Sequence, residues 1–160
     1  MIIANLSPAW NADAELIERI VATVNDDVIL LSEFKTAVRL TEESGKAVIE
    51  EDILELMIQN RLLLEQAKKF SFGMDASAGP STPDMVIQHY IDRRIKALIY
   101  IPFRDIETHY FINIEKYDDR DLYDVKDEIE KYLLNKKLEI KIQEHIDELK
   151  QGARIRVQLD

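Results

Sequence analysis

Arg19-Ile20-Val21-Ala22-Thr23-Val24-Asn25-Asp26-Asp27-Val28-Ile29-Leu30-Leu31-Ser32-Glu33-Phe34 is the stretch that decides how this chain folds. Two β-rich runs, Ile20 to Val24 and Val28 to Leu31, flank the triplet Asn25-Asp26-Asp27. Asn and Asp tolerate left-handed backbone and hydrogen-bond their own main chain, so the triplet predicts a hairpin turn. Ser32 stands where a helix N-cap belongs, and Glu33 in the first turn favours the positive end of the helix dipole.

A sheet needs more than this hairpin, and the candidate third strand is at the other end of the chain. From Ala153 to Leu159, Ile155, Val157 and Leu159 alternate with Arg154, Arg156 and Gln158, the period of a strand. The hairpin runs are the other strand signals, so the two chain ends are expected to pair in one small antiparallel sheet.

Between them the periodicity is helical. Phe34, Ala37, Val38 and Thr41 share a face of a helix from about Ser32 to Thr41, and Gly45 lies in the loop that follows. Ile53, Leu56, Met57, Leu63, Leu64, Ala67 and Phe70 predict a long helix from Val48 to Phe70. Leu54, Ile58 and Leu62 widen its stripe, which implies burial on more than one side. The low-complexity run Ser71 to Pro83 reads as a mobile loop, ending in Thr82-Pro83, a good N-cap and first helical residue. Val86, Ile87, Ile91, Ile95, Leu98 and Ile99 mark the next helix, expected to stop before Pro102. A short helix over Asp105 to Phe111, a charged connection over Asn113 to Asp121 and a last long helix from Leu122 to Gln151 complete the reading, with Gly152 at the C′ position. The expected fold is mainly α, a multi-helix core with a small antiparallel sheet. A single domain spans 19–160, its part 19–112 completed by the helix and strand of 122–160.

Composition narrows the function. The chain has 160 residues, a net charge of -10 and no cysteine, so it has neither disulfides nor thiolate metal sites. One hydrophobic core can form at this length. The acidity argues against binding nucleic acid, which needs clustered Lys and Arg. No apolar run approaches the ~20 residues that cross a bilayer, so no stable membrane insertion is expected. Residues 1–18 read either as an N-terminal tail or as the remnant of a signal peptide, with Ala12-Asp13-Ala14 shaped like a cleavage site.

No constellation points to catalysis. His89, His109 and His145 lie on separate predicted helices without a second His or Cys at ligand spacing, and His145 beside Glu144 and Glu148 is what a Glu-rich surface helix offers by chance. There is no glycine-rich phosphate loop and no nucleophile elbow. Arg93-Arg94 with Lys96 reads as a solvated helix face. No enzyme activity, metal or cofactor is expected. An apolar and aromatic set does concentrate around Pro102: Tyr90, Ile99, Tyr100, Ile101, Phe103, Tyr110 and Phe111, with Met57, Met74 and Met85 as adaptable neighbours. Two readings stand side by side, a packed core or an apolar groove for a client. In the second, Met57, Tyr90, Ile99, Tyr100, Phe103, Tyr110 and Phe111 are the candidate client-binding residues.

The run Ile20 to Phe34 resembles the opening of SurA-type periplasmic chaperones. Ile53-Leu54-Glu55-Leu56-Met57-Ile58-Gln59-Asn60-Arg61-Leu62-Leu63-Leu64-Glu65-Gln66-Ala67-Lys68 is similar to that family's second helix. Ile91-Asp92-Arg93-Arg94-Ile95, Ile106-Glu107-Thr108-His109-Tyr110 and the stretch from Val125 through Leu149 to Ile155 resemble its later helices and closing strand more loosely. The family usually carries parvulin-type prolyl isomerase domains where this chain has only Asn113 to Asp121, so no isomerase residue carries over. The resemblance implies a periplasmic chaperone that binds unfolded outer-membrane or envelope proteins without nucleotide. The alternative from the residues themselves is a helical adaptor docking one folded partner, and a fragment of a larger isomerase fits less well with an intact closing helix and strand. Chain ends that pair across the loop at Ser71 to Pro83 also make a domain-swapped homodimer an expectation.

Overall fold

The hairpin forms as its residue types require. In the computed structural model, which describes residues 18–70 and 82–158, strand β1 (Ile20–Val24) pairs antiparallel with β2 (Asp27–Leu30). The turn is shorter than the triplet predicts. Asn25 and Asp26 make it, with Asn25 in the left-handed region at φ 55°, and Asp27 already belongs to β2. A register shift between Ile20 and Ala22 leaves Val21 as the extra residue of a bulge. Val21 and Ala22, consecutive in sequence, are thereby both fully buried, which strict alternation forbids.

Strand β3 (Ile155–Val157) joins the other side of β1, giving the order β2-β1-β3 with Thr23 opposite Arg156. The expected sheet of the two chain ends is therefore present; Leu159 lies outside the described residues. Asn25 is its knot. Its N–H donates to the Arg154 carbonyl at 2.9 Å, its Oδ1 accepts from the Arg154 N–H at 2.9 Å, and its Nδ2 donates to Glu65 Oε2 at 2.6 Å. Replacing Asn25 by Ala removes two side-chain bonds worth about 1 kcal/mol each and adds about 1 kcal/mol of left-handed strain, so unfolding free energy should fall by about 2–3 kcal/mol. Asn25→Gly keeps the backbone preference and should lose only the bonds. Denaturant titration of both variants checks this, and equal stability of parent and Asn25→Ala would refute it.

Helix α1 (Leu31–Glu43) starts one residue earlier than expected, with Leu30 at the cap position, and Ser32 sits inside the first turn. Carboxylates do the capping instead. The Leu30 N–H donates to Glu33 Oε2 at 3.1 Å and the Ser32 N–H donates to Glu18 Oε1 at 3.1 Å. The Ser32 side chain and backbone both hydrogen-bond Glu18, which holds its carboxyl below the ordinary value. α1 closes at Gly45, whose φ of 72° and bond from its N–H to the Glu42 carbonyl make it the C′ glycine.

α2 (Glu50–Phe70) begins two residues later than read from the sequence and carries Glu50, Glu51 and Asp52 in the first turn and Lys68 and Lys69 in the last. Its broad stripe buries on two sides. Leu54, Ile58 and Leu62 pack beneath the sheet with Val21, Val24, Ile29 and Phe34. Leu63, Leu64 and Ala67 form a second cluster with Ile87, Tyr90, Ile91 and Ile146. α3 (Pro83–Arg94) opens as expected, with Thr82 accepting from the Met85 N–H at 3.3 Å. It ends earlier than Pro102 demanded. A tight 3₁₀ turn at Lys96–Leu98 redirects the chain, and Ile99 and Ile101 enter a third cluster rather than continuing the helix. The loop read over Ser71 to Pro83 lies outside the described residues except for its last two.

α4 (Phe103–Ile112) and α5 (Leu122–Gly152) build that third cluster from Ile101, Ile106, Tyr110, Tyr117, Val125 and Ile129. The connection between them is not merely charged: a 3₁₀ turn at Ile114–Tyr117 buries Tyr117, which stacks on Tyr110 at 5.6 Å. Asp118 and Asp119 then take left-handed backbone, which Asp tolerates. Gly152 is the last helical residue and not a C′ glycine; the extended backbone of Ala153 leads directly into β3. At 31 residues α5 is about 46 Å long and serves as a spine. Leu149 touches the first two clusters, Leu138, Ile142 and Ile146 the second, and Val125 and Ile129 the third.

An ion pair ties the spine to α2. Glu55 pairs with Lys150; burial pushes its carboxyl up, but hydrogen bonds from Lys150 and Gln59 outweigh this and hold it below its ordinary value. Hydrogen bonds from Lys69 and then Asn25 lower Glu65 in the same way. A carboxyl lowered in the folded state adds stability above its unfolded value and loses it as pH falls through the folded value. Stability should therefore be flat near neutrality and decline below about pH 4.5. Glu65→Gln should flatten that decline; a chemical-denaturation series from pH 7 to pH 3 with unchanged slope would contradict the assignment.

Candidate functional site

The residues expected to line a client groove separate once the chain is folded. Tyr90 is buried in the second cluster, its hydroxyl 2.8 Å from His145 Nε2 and its ring stacked on Phe70 at 6.0 Å. Tyr110 is buried in the third cluster and donates its hydroxyl to the Arg120 carbonyl at 2.9 Å. Both therefore serve packing. Met57 is half-buried against the sheet cluster, and Ile99 half-buried against the third. Tyr100, Phe103 and Phe111 are the ones left exposed.

The helical period of α4 explains the division. Ile106 and Tyr110, four residues apart, face α5. Phe111 and Ile112 follow Tyr110 around the helix and turn away from that contact, with 64% and 76% of their surface exposed. Ile114 in the connection and Tyr123 in the first turn of α5 are exposed to 49% and 80%. The bond from Tyr110 to Arg120 ties the end of α4 to the connection that leads into α5, and these four residues belong to that end of α4, that connection and the first turn of α5, the tip of this lobe. The tip rests on a rigid base, since Tyr110 touches Phe111 edge-on at 5.4 Å and stacks on Tyr117.

A second exposed set lies at the other end of α4. Leu98 and Tyr100 are largely exposed and Phe103 is partly so, and Lys137 of α5 donates to the Tyr100 carbonyl at 3.2 Å. Tyr132 lies between the two sets, its ring 5.1 Å from that of His109. Burial, then the charges of Lys116 and Lys136, keep the His109 imidazole below its ordinary pKa. Leu98, read from the sequence as part of the apolar stripe of the helix before Pro102, is instead exposed in the 3₁₀ turn, and Ile112, Ile114 and Tyr123 escaped the reading because each sits at the end of an element, where period says little about burial.

The other candidates are absorbed locally. Arg94 lies over the Phe70 ring at 4.1 Å and Lys96 pairs with Asp92 at 3.7 Å, which accounts for much of the basic run from Arg93 to Lys96. Glu144 pairs with Lys141, and Glu148 lies 3.7 Å from His145 Nδ1. Among the described residues no three His, Cys, Asp or Glu side chains gather to hold a metal ion, and no helix is long and apolar enough to cross a membrane. Set beside known proteins, the chain matches no family model and no curated protein.

Proposed function

We propose that this protein is a chaperone of the SurA type, without prolyl isomerase activity, that holds unfolded outer-membrane or envelope proteins in the periplasm. The observation that carries the reading is the apolar tip of Phe111, Ile112, Ile114 and Tyr123, exposed on a lobe whose own core is complete beneath it. A folded chain gains nothing from large apolar groups held out in water, and such patches mark surfaces that bind other chains. The resemblance in sequence supplies the class of partner. Capture is reversible burial of client apolar segments. Each tip side chain contributes about 1.5–3 kcal/mol when fully covered. An association cost of about 4–15 kcal/mol leaves binding weak and exchangeable, as a holding chaperone needs. The net charge of -10 keeps the complex soluble.

The test is light scattering of a urea-unfolded outer-membrane β-barrel protein on dilution, with and without a near-stoichiometric amount of this chain. Suppressed aggregation without nucleotide is the expected result. If aggregation is unchanged and a folded envelope protein is instead retained on the immobilised chain, the adaptor reading replaces this one.

A further inference from the structure

The two edges of the small sheet are treated differently. Along β2, the backbone donors that face away from β1 are those of Val28 and Leu30, and each has a carboxylate placed on it. The Val28 N–H donates to Asp27 Oδ1 at 2.9 Å and the Leu30 N–H to Glu33 Oε2 at 3.1 Å. This edge is closed to further strands. Along β3, the Gln158 N–H donates to the Val21 carbonyl at 2.8 Å and the Asn25 N–H to the Arg154 carbonyl at 2.9 Å. Residues 154, 156 and 158 therefore turn their backbone groups toward β1, and those of Ile155 and Val157 point outward. Among the described residues nothing pairs with them.

The side chains of β3 repeat the contrast. Ile155 and Val157 stand in register with Val24 and Ala22, which are buried on the core face, yet are themselves 37% and 51% exposed. The opposite face of the strand carries Arg154 and Arg156, a local excess of positive charge in a chain of net charge -10. Arg154 is shared with Asp26 at 3.2 Å.

We propose that the outer edge of β3 is a strand-addition site that takes an extended polypeptide segment alternating apolar and acidic residues. Main-chain bonds to Ile155 and Val157 supply the pairing, apolar side chains of the added strand extend the Ile155–Val157 face, and its carboxylates meet Arg154 and Arg156. A second copy of this chain fits less well: two-fold antiparallel pairing of β3 with itself sets like-charged arginines against each other, on molecules that already repel. The site lies at the end of α5 opposite the apolar tip, about 46 Å away by the length of that helix. It stands independently of the holding activity.

The experiment is fluorescence anisotropy of a dye-labelled peptide alternating valine and glutamate, titrated with the full chain, beside the same peptide N-methylated at the positions that would pair with β3. The parent should bind the first peptide and bind the N-methylated one about fivefold more weakly for each bond lost. Val157→Pro removes one outward donor and no bond to β1, so it should weaken binding about fivefold while far-UV circular dichroism is unchanged. Arg156→Glu should weaken the glutamate peptide and strengthen one in which lysine replaces glutamate. No binding by the parent, equal binding of the N-methylated peptide, or a Val157→Pro variant that folds and binds like the parent overturns the proposal. So does a parent that is dimeric by light scattering and becomes monomeric with Val157→Pro, which would give the edge to a second copy. Aggregation suppression that persists in Val157→Pro leaves the holding activity standing whichever way the peptide result falls.

Discussion

Replacing Ile129 by Ala is expected to open the α4–α5 lobe while the sheet stays closed. Ile129 is 1% exposed in the third cluster, and truncation of a buried Ile costs about 2–5 kcal/mol in lost contacts and cavity. That cluster shares no buried residue with the other two, and α4 rests on α5. The loss should therefore stay local, since proteins open in cooperative units of unequal stability. Hydrogen exchange reads it directly. Amides of α4 should lose about 100-fold in protection, from about 2.7 kcal/mol at 1.4 kcal/mol per tenfold, while those of β1 and α2 hold theirs. Equal loss in both regions would show a single cooperative unit and sink the idea of separate cores.

The triple variant Phe111→Ser, Ile112→Ser, Tyr123→Ser should abolish most of the holding activity without unfolding the chain. Surface substitutions usually change stability by less than about 0.5 kcal/mol each, so melting should move little. Binding is another matter. If each side chain gives up about 1.5 kcal/mol of burial with the client, affinity falls about tenfold per residue, and the three together take it past 100-fold. Leu40→Ser with Ile49→Ser is the control, because both residues are exposed apolar groups on α1 and the connection to α2 rather than at the tip. The assay is the same scattering measurement, repeated over chaperone concentration. A triple variant that suppresses aggregation as well as the parent removes the tip from the mechanism.

Much of the architecture was legible because its signals are local and redundant. Asn25 between two β-branched runs, the alternation around Ile155 and Val157, and the Thr82-Pro83 start each point to one conformation. The errors fall where several groups compete for the same role. Ser32 has the right chemistry for a cap, yet Glu33 and Glu18 accept from the Leu30 and Ser32 N–H groups, so the helix starts one residue earlier and the hydroxyl lies inside its first turn. Gly152 looks like a helix stop, but among the described residues Gly45 is the glycine that adopts positive φ. The candidate site was only partly readable. Composition drew attention to the aromatic residues around Pro102, but whether Tyr110 or its neighbour Phe111 faces α5 depends on where that long helix lies. The i,i+4 pair of Ile106 and Tyr110 held that answer; Tyr123 and Ile114 left no such trace.

Thr23 and Arg156 face each other across the sheet, and Asn25 and Arg154 bond to each other although 129 positions separate them in sequence. The entropy of closing so large a loop must be met before the pairing returns anything, which makes such contacts slow to form. β3 also follows the hairpin in chain order with every helix between them. During synthesis the hairpin is thus complete early and waits, one side of β1 unpaired, until β3 emerges. Through that interval the nascent protein carries an unfinished sheet with an open strand.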